Sequence, residues 1–362
     1  MIRNPIRYLR PLALRLVAIG AILGAIAGAF AFTAGWLTPS RLGPGQIVDS
    51  LEAHDGLHPG FRRAHAKGLC IEGQFQANGT GTALSRTALF APGAVPVIGR
   101  LSTGGGDPYG ADGRLVFHAM ALSLGLPNSE QWRMALDDTP IFVVSTPRAF
   151  LDFQLATAPA PKTGKPDPAR VAAFLSQHPE TRAFMHWMRD APLPSSFANG
   201  SYFSINAFRF TNEAGQTRSV RWSLVPEAPF EALDKDKLAS LPANYLFDDF
   251  MARLRAGPLR WHMVVTVAQP GDPVANATRQ WPADRERIDV GTLVIDRASV
   301  EENGPCRNIT FDPLILPAGI APSDDPLLAA RSAVYAVSLA RRDGEPASPS
   351  ALSAHPQRRS AP

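Results

Sequence analysis

Near the end of the chain, an arginine and a tyrosine are spaced so that they could act together on bound iron. Ser323 or Asp324 could cap the start of a helix there, and Pro326 would lie in its first turn. Arg331 and Tyr335, four residues apart, would then share one helix face, so the guanidinium can reach the phenol oxygen. A neighbouring cation favours the ionised phenol, a hard anionic ligand suited to the iron of a haem. Taken alone, the pair is more simply interpreted as an ordinary contact on a surface helix.

Other motifs precede this pair in a definite order along the chain. They are Arg62-Arg63-Ala64-His65-Ala66-Lys67-Gly68, Arg100-Leu101-Ser102-Thr103, Asp138-Thr139-Pro140-Ile141-Phe142 and Phe150-Leu151-Asp152-Phe153. In this order and at these separations, the motifs and the Arg331–Tyr335 pair resemble the signatures of the haem catalase family. Each motif alone is weak evidence, whereas their collinear order is specific. The resemblance covers about residues 48–345.

The resemblance implies an α+β fold, in which helices surround a closed antiparallel eight-stranded β-barrel. The residues agree, because about eight stretches show apolar or alternating patterns bounded by Gly, Pro or Asn. The predicted strands are 69–77, 86–101, 114–124, 139–145, 202–212, 217–225, 259–268 and 289–297, and helices are predicted near 147–156, 168–190 and 227–256. Because the chain ends soon after the Arg331–Tyr335 helix, it is most similar to the small catalase-related peroxidases.

The same resemblance assigns the reacting residues of a haem b site. It implies that Tyr335 is the metal ligand and Arg331 its partner, while His65 is the distal base that moves a proton on bound peroxide. With an ordinary pKa of about 6.5, a histidine can do this around neutral pH. Ser102 matches the position whose hydroxyl orients that histidine. The other histidines, including His118, match no motif and are predicted to be surface or core residues.

Arginines and phenylalanines are implied to bind the cofactor. The arginines that match the cations holding haem propionates are Arg62, Arg100 and Arg342. Arg63 is an ambiguous neighbour, because only one register points Arg62 inward. Phe142 and Phe150 match aromatic residues that border the haem and the distal cavity, although ordinary core packing explains them equally well.

Two positions depart from the family pattern. Asp137 stands where catalases have an asparagine, so a carboxyl replaces a neutral hydrogen-bond donor, and the ionised carboxyl cannot donate to peroxide. We therefore count Asp137 among the catalytic residues. Gly104 stands where catalases usually have a valine that narrows the channel, so this glycine is predicted to admit molecules larger than peroxide. Both changes favour peroxidase over catalase turnover.

The N-terminal region is predicted to anchor the chain in a membrane. Residues 16–37 contain no charge and are long enough for a helical span, and four arginines precede this segment. The basic residues 1–15 are therefore predicted to stay in the cytoplasm, with the body on the periplasmic side of the inner membrane. A cleaved signal peptide is the open alternative, because small residues near 27–31 could be cut. The domain at 48–345 would follow a linker at 38–47 and precede a disordered tail at 346–362.

Charge and cysteine content narrow the range of partners and ligands that the sequence predicts. The four N-terminal arginines equal the net charge of +4, so the rest of the chain is electrically neutral and the leader accounts for the pI of about 9.3. Because no basic stripe is visible, nucleic acid is not an expected partner. The short C-terminal region also makes NADPH an unexpected ligand. Cys70 and Cys306 could pair in an oxidising compartment or remain buried free thiols.

These features together predict a haem-dependent peroxidase. It would reduce H2O2 or organic hydroperoxides with a small organic electron donor and would have weak catalase activity at most. Two alternatives remain open. Some catalase-like proteins rearrange or dehydrate lipid hydroperoxides, and a membrane anchor suits that reaction. A non-enzymatic periplasmic haem-binding protein is the other alternative, although His65 and Ser102 argue against it.

Overall fold

The computed structural model describes residues 6–33, 42–114 and 117–353, and residues 1–43 form a unit of their own. The helices of the described residues are α1 (Ile6–Thr33), α2 (Pro44–Asp55), α3 (Pro147–Thr157), α4 (Pro168–Gln177), α5 (Thr181–Asp190), α6 (Tyr245–Ala256) and α7 (Pro326–Asp343). Within α1, the stretch Ala13–Thr33 has a mean hydropathy of 2.2 and is long enough to cross a membrane, a property that signal sequences share. Residues 34–37 of the predicted span lie outside the described residues.

Eight strands of the second unit, which begins at Pro44, close into an antiparallel barrel, so the predicted fold class is confirmed. The described part of the chain has ten strands in all, which are β1 (Gly68–Ala77), β2 (Gly93–Thr103), β3 (His118–Gly125), β4 (Gln131–Asp137), β5 (Tyr202–Phe203), β6 (Phe208–Thr211), β7 (Thr217–Pro226), β8 (Leu259–Val267), β9 (Arg287–Val300) and β10 (Ile320–Pro322). Neighbours run β1-β2-β3-β4-β5-β7-β8-β9, and β9 pairs with β1 to close the ring. Strand β7 pairs with β6 as well as with β5, and β10 pairs with β6.

Alternation along the strands builds a packed barrel interior. In β8, Trp261, Met263 and Val265 are buried, and the residues between them are less buried. The interior holds one large core of aromatic and aliphatic side chains, in which the rings of Trp132 and Trp222 are 5.0 Å apart. Because this core fills the barrel, a site that binds a large group must lie outside the strands.

The wall strand β4 lies where the sequence analysis predicted no strand. Its residues alternate, and Trp132 and Leu136 belong to the barrel core. The predicted strand at 139–145 is instead a loop, in which the amide of Phe142 donates to the carbonyl of Ala277. A run of apolar residues indicates burial, but it does not distinguish a strand from a buried loop.

Several other boundaries also differ from the predictions. Prolines and polar residues account for part of this, because they end or interrupt helices and strands. The strand at 86–101 begins at Gly93, that at 202–212 is split into β5 and β6, the helix at 168–190 is split into α4 and α5, and that at 227–256 is reduced to α6 with a 3-10 turn at Lys235–Ser240. Asp325, rather than Ser323 or Asp324, caps α7. The predicted linker at 38–47 overlaps the start of α2.

Two long-range connections involve the C-terminal part of the chain. Cys70 and Cys306 form a disulfide with Cα atoms 5.3 Å apart, which joins β1 to the loop after β9. Residues 346–353 pack on the domain, in contrast to the expected disordered tail. Arg307 donates to the carbonyl of Ser348, and Ser350 is buried. The rest of the tail, 354–362, lies outside the described residues.

Candidate active site

A cavity of about 520 Å³ lies against the barrel wall, where β2, β3 and β4 meet helices α2, α3 and α7. Ala119, Ala121 and Ala135 line it, and their small side chains leave room for a large group. The ten predicted site residues all line this cavity: Arg62, His65, Arg100, Ser102, Asp137, Phe142, Phe150, Arg331, Tyr335 and Arg342. The fold therefore brings together residues that are up to 280 positions apart in the sequence.

Helix α7 presents the arginine and the tyrosine to the cavity on one face. A terminal nitrogen of Arg331 donates to the phenol oxygen of Tyr335 at 3.2 Å, as their spacing predicts. Burial lowers the pKa of Arg331, but the charges of Tyr335 and Asp137 outweigh burial, so the pKa lies above its ordinary value. The guanidinium therefore stays charged and can stabilise a phenolate.

Two residues that the sequence analysis did not single out hold Arg331 in place. Asn206 accepts from Arg331 Nη1 at 2.7 Å and donates through Nδ2 to Asp325 at 2.9 Å. The same Asp325 accepts from the amide of Leu327 and so caps α7. A lone asparagine after a short strand resembles any loop residue, so no sequence signal could have identified Asn206.

His65, the predicted distal base, adopts a strained backbone conformation. His65 has a φ of 56°, in the left-handed region, which costs about 1–2 kcal/mol for a residue with a Cβ. Its Nδ1 lies 3.3 Å from the hydroxyl of Ser102, which agrees with the role predicted for that serine. Burial lowers the pKa of His65 to about 4, with a further contribution from Arg100 and Arg331. The imidazole is therefore neutral at pH 7 and can accept a proton.

Asp137 lies at the end of β4 and lines the cavity with its carboxyl buried. Burial raises its pKa to about 7, and the charge of Arg331 only partly offsets this effect. The carboxyl therefore changes its charge close to neutral pH. It can donate a hydrogen bond below that pH but not above it.

Buried arginines provide unused hydrogen-bond donors for an anionic group. Arg62 is held by the carbonyls of Cys306, Arg307 and Ile309, yet its Nε makes no hydrogen bond within the described residues and lies 3.8 Å from a carboxylate oxygen of Glu301. A terminal nitrogen of Arg342 is likewise buried without a partner there. Burial lowers the pKa of Arg62 to about 9, and Arg100 contributes to this shift.

These donors fit the carboxylates of a haem. Two unsatisfied guanidinium nitrogens beside an apolar cavity are costly unless an anion binds them, and haem propionates are such anions. Arg100 differs from Arg62 and Arg342 because its guanidinium is already paired with a carboxylate. Glu301 accepts from its Nε at 2.7 Å and from its Nη2 at 2.8 Å. A Cβ on Gly68 would lie 2.2 Å from the Arg100 guanidinium, so a side chain at this position would displace that guanidinium.

The aromatic residues shape one side of the cavity. Phe142 and Phe150 stack with ring centroids 5.8 Å apart, and both also pack against a small buried core around Val143 and Val144. They therefore border the cavity and contribute to core packing at the same time.

The prediction that Gly104 widens the channel is wrong. A Cβ at Gly104 would lie 2.5 Å from the ring of Phe117, so this ring already fills the space. Phe117 lines the cavity, and its ring centroid is 5.5 Å from that of His65. Gly105 rather than Gly104 reaches the cavity surface. Phe117 is the residue just before β3. Only the folded chain reveals that its ring occupies the space where Gly104 has no side chain.

The fold is that of the catalases. Residues 32–347 match the family model described as "Catalase", so the chain belongs to the catalase family. It is 39% identical over 342 residues to a protein named catalase-related peroxidase from Synechococcus elongatus. The alignment covers 94% of this chain and 99% of the relative. A second protein of that name, from Mycolicibacterium paratuberculosis, is 33% identical over 84% of this chain and 96% of the relative.

A solved structure supports the fold. A fungal catalase superposes with a TM-score of 0.71 at 20% identity. The alignment covers 79% of this chain and 60% of the fungal catalase. At this identity the likeness concerns the fold alone.

Proposed function

We propose that the protein is a peroxidase that uses bound haem to reduce H2O2 or organic hydroperoxides with a small organic electron donor. The observation that carries this proposal is a single cavity that contains both the Arg331–Tyr335 pair and a neutral His65 paired with Ser102. The two relatives named catalase-related peroxidase support the same activity.

The cavity residues would hold a haem b in a defined way. Tyr335 would bind the iron through its phenol oxygen, and Arg331 would donate a hydrogen bond to that oxygen. Arg62 and Arg342 would use for the propionates the nitrogens that make no hydrogen bond within the described residues. When bound, haem supplies an iron that takes oxidising equivalents from a peroxide and passes them to a donor.

His65 moves the proton in this reaction. Its neutral imidazole accepts a proton from the peroxide and returns it to the departing oxygen, so a water molecule or an alcohol can leave. The low pKa of about 4 keeps His65 available as a base at any pH well above that value. Ser102 orients the ring through Nδ1.

Asp137 limits the catalase reaction. Dismutation needs a second peroxide, oriented by a hydrogen-bond donor where catalases have an asparagine. An aspartate with a pKa of about 7 donates only part of the time at neutral pH. Oxygen evolution should therefore decline as the pH rises through about 7, while oxidation of an organic donor does not depend on that hydrogen bond.

Location follows from the N-terminal helix. We propose that residues 16–37 anchor the chain in the inner membrane, with 1–15 in the cytoplasm and the domain in the periplasm. The apolar stretch Ala13–Thr33 supports a span, and the arginines before it support the orientation. The disulfide between Cys70 and Cys306 suits an oxidising compartment.

One set of experiments separates this function from its alternatives. The protein loaded with haem is mixed with H2O2 and its absorbance is followed by stopped flow, with and without a phenolic donor. A peroxidase shows a rapid spectral change that the donor reverses, whereas a haem carrier shows no peroxide-dependent change. If a fatty-acid hydroperoxide is rearranged without any donor, the protein is an isomerase or dehydrase, and the proposed function is wrong.

A further inference from the structure

Arg63 is a buried cation at the edge of the cavity, and its recorded hydrogen bonds go to neighbouring parts of the fold. Its side chain is only 3% exposed. Its Nε donates to Glu52 at 2.7 Å, its Nη1 donates to Glu345 at 2.9 Å, and its Nη2 also pairs with Glu345. Nη1 donates to the carbonyl of Phe61 as well, at 3.0 Å. All three guanidinium nitrogens of Arg63 therefore donate to neighbouring parts of the fold.

The partners of Arg63 lie on helix α2 and just beyond the C-terminal end of helix α7. Glu52 belongs to α2, and its second oxygen accepts from Arg341 of α7 at 2.9 Å. Glu345 directly follows α7 and also accepts from the amide of Gly60 at 2.7 Å. We call Arg63, Glu52, Glu345 and Arg341 the clasp. The clasp joins residues 60–63 to α2 and to the end of the helix that carries Tyr335.

The clasp lies next to the strained distal base. His65, two residues after Arg63, has a φ of 56°, and such conformations persist only where the surroundings hold them. Two residues after His65, Lys67 is 2% exposed and donates to Asp112 at 2.6 Å and to two backbone carbonyls. Buried cations therefore fix the backbone on both sides of His65.

We propose that Arg63 is a positioning residue, which holds the strained backbone of His65 by tying residues 60–63 to α2 and to the end of α7. This inference rests on the proposed role of His65 as the base. Its physical basis is that charge-assisted hydrogen bonds between a buried guanidinium and half-buried carboxylates are strong and directional. Because the same residues contact α7, the clasp also sets the distal base relative to the helix that bears the iron ligand.

Arg63→Met tests the proposal, since it keeps much of the side-chain volume and removes every donor. In the full-length protein, amide hydrogen exchange of residues 60–67 should become roughly 10- to 100-fold faster, the effect of losing one or two hydrogen bonds to a charged group. Exchange in β8 and β9 should stay unchanged. Arg63→Lys should restore part of the protection, because it keeps the charge.

A second measurement reports the position of His65. In wild type, the rate of the first reaction with H2O2 should be level above about pH 5, since burial holds the pKa of His65 at about 4. In Arg63→Met, a displaced and hydrated imidazole should recover a pKa closer to about 6.5, so the rate should fall between about pH 7 and pH 5. Arg63→Lys should retain the wild-type profile.

The matched control is Arg285→Met, which removes a bidentate pair with Asp272 made at 2.7 and 2.8 Å. It should leave exchange at 60–67 and the pH profile as in wild type. If Arg63→Met changes neither measurement, or if exchange rises equally in all segments, the positioning role is wrong. If Arg63→Met does not fold, Glu345→Gln must produce the same local change, and wild-type exchange in that variant would overturn the proposal.

The two proposals can fail separately. Hydrogen exchange does not depend on haem, so it reports on the clasp even in a protein that does not react with peroxide. A wild-type protein that fails to react with H2O2, but whose Arg63→Met variant shows the local exchange increase, would refute the proposed function and support the clasp.

Discussion

Asp137→Asn should remove the pH dependence of oxygen evolution from H2O2. Burial raises the pKa of Asp137 to about 7. A carboxyl with that pKa is roughly 90% protonated at pH 6 and roughly 10% protonated at pH 8. Only the protonated form can donate a hydrogen bond to the second peroxide. Wild-type oxygen evolution should therefore fall about tenfold between these two pH values.

Asparagine donates at every pH, so the variant should evolve oxygen at a level rate across the same interval and exceed wild type most at the alkaline end. His65 does not contribute to the change, because its pKa of about 4 lies below the interval. An oxygen electrode measures the rate at constant ionic strength, with samples matched for haem content.

Asp138→Asn is the matched control. This neighbouring carboxyl is also buried, with burial raising its pKa, but it does not line the cavity. It should keep the tenfold change of wild type. If wild type shows no change between pH 6 and pH 8, or if Asp137→Asn keeps the wild-type slope, the carboxyl of Asp137 does not control dismutation.

Four further outcomes are expected. Tyr335→Phe should purify without stoichiometric haem, because the iron ligand is lost; full haem content with an unchanged absorbance spectrum would remove that assignment. His65→Ala should bind haem but react with H2O2 roughly 10²–10⁴ times more slowly in stopped flow, and a wild-type rate would mean that another base acts. Phe117→Ala should raise the oxidation of a bulky phenol relative to a small one, because the ring fills the space beside Gly104, and an unchanged ratio would contradict this. Reporter fusions after residue 45 and before residue 10 should show an exported body and an internal N-terminus; a soluble mature protein that begins near Phe32 would identify a signal peptide instead.

The proposed site residues were predictable because they lie in short motifs. His65, Ser102, Arg331 and Tyr335 each belong to a motif that resembles a catalase signature, and the fold brings all four to one cavity. The 3.2 Å contact between Arg331 and Tyr335 was predictable as well, because residues four apart in a helix are neighbours in any fold.

Contacts between distant segments were not predictable. Asn206 holds Arg331 from a segment 125 residues away, and Phe117 fills the space that Gly104 leaves open. Neither residue belongs to a motif. The role of each depends on a neighbouring residue that it meets only when the barrel has closed. The widened channel inferred from Gly104 was wrong for this reason.

Charge states also depend on the packed structure. The histidine motif indicates a base with an ordinary pKa near neutrality, yet burial places that of His65 at about 4 and that of Asp137 at about 7. Desolvation and nearby charges cause these shifts, and both depend on which elements enclose the group.

Residue types close together in the chain therefore specify the chemistry, the apolar N-terminal helix and most of the alternating strands. Long-range packing specifies where β4 lies, which ring fills the channel, which groups are charged and how Arg63 connects three elements. The physical reason is distance: hydrophobic periodicity and helix spacing act over a few residues, whereas burial and ion pairing act between segments that meet only when the barrel closes.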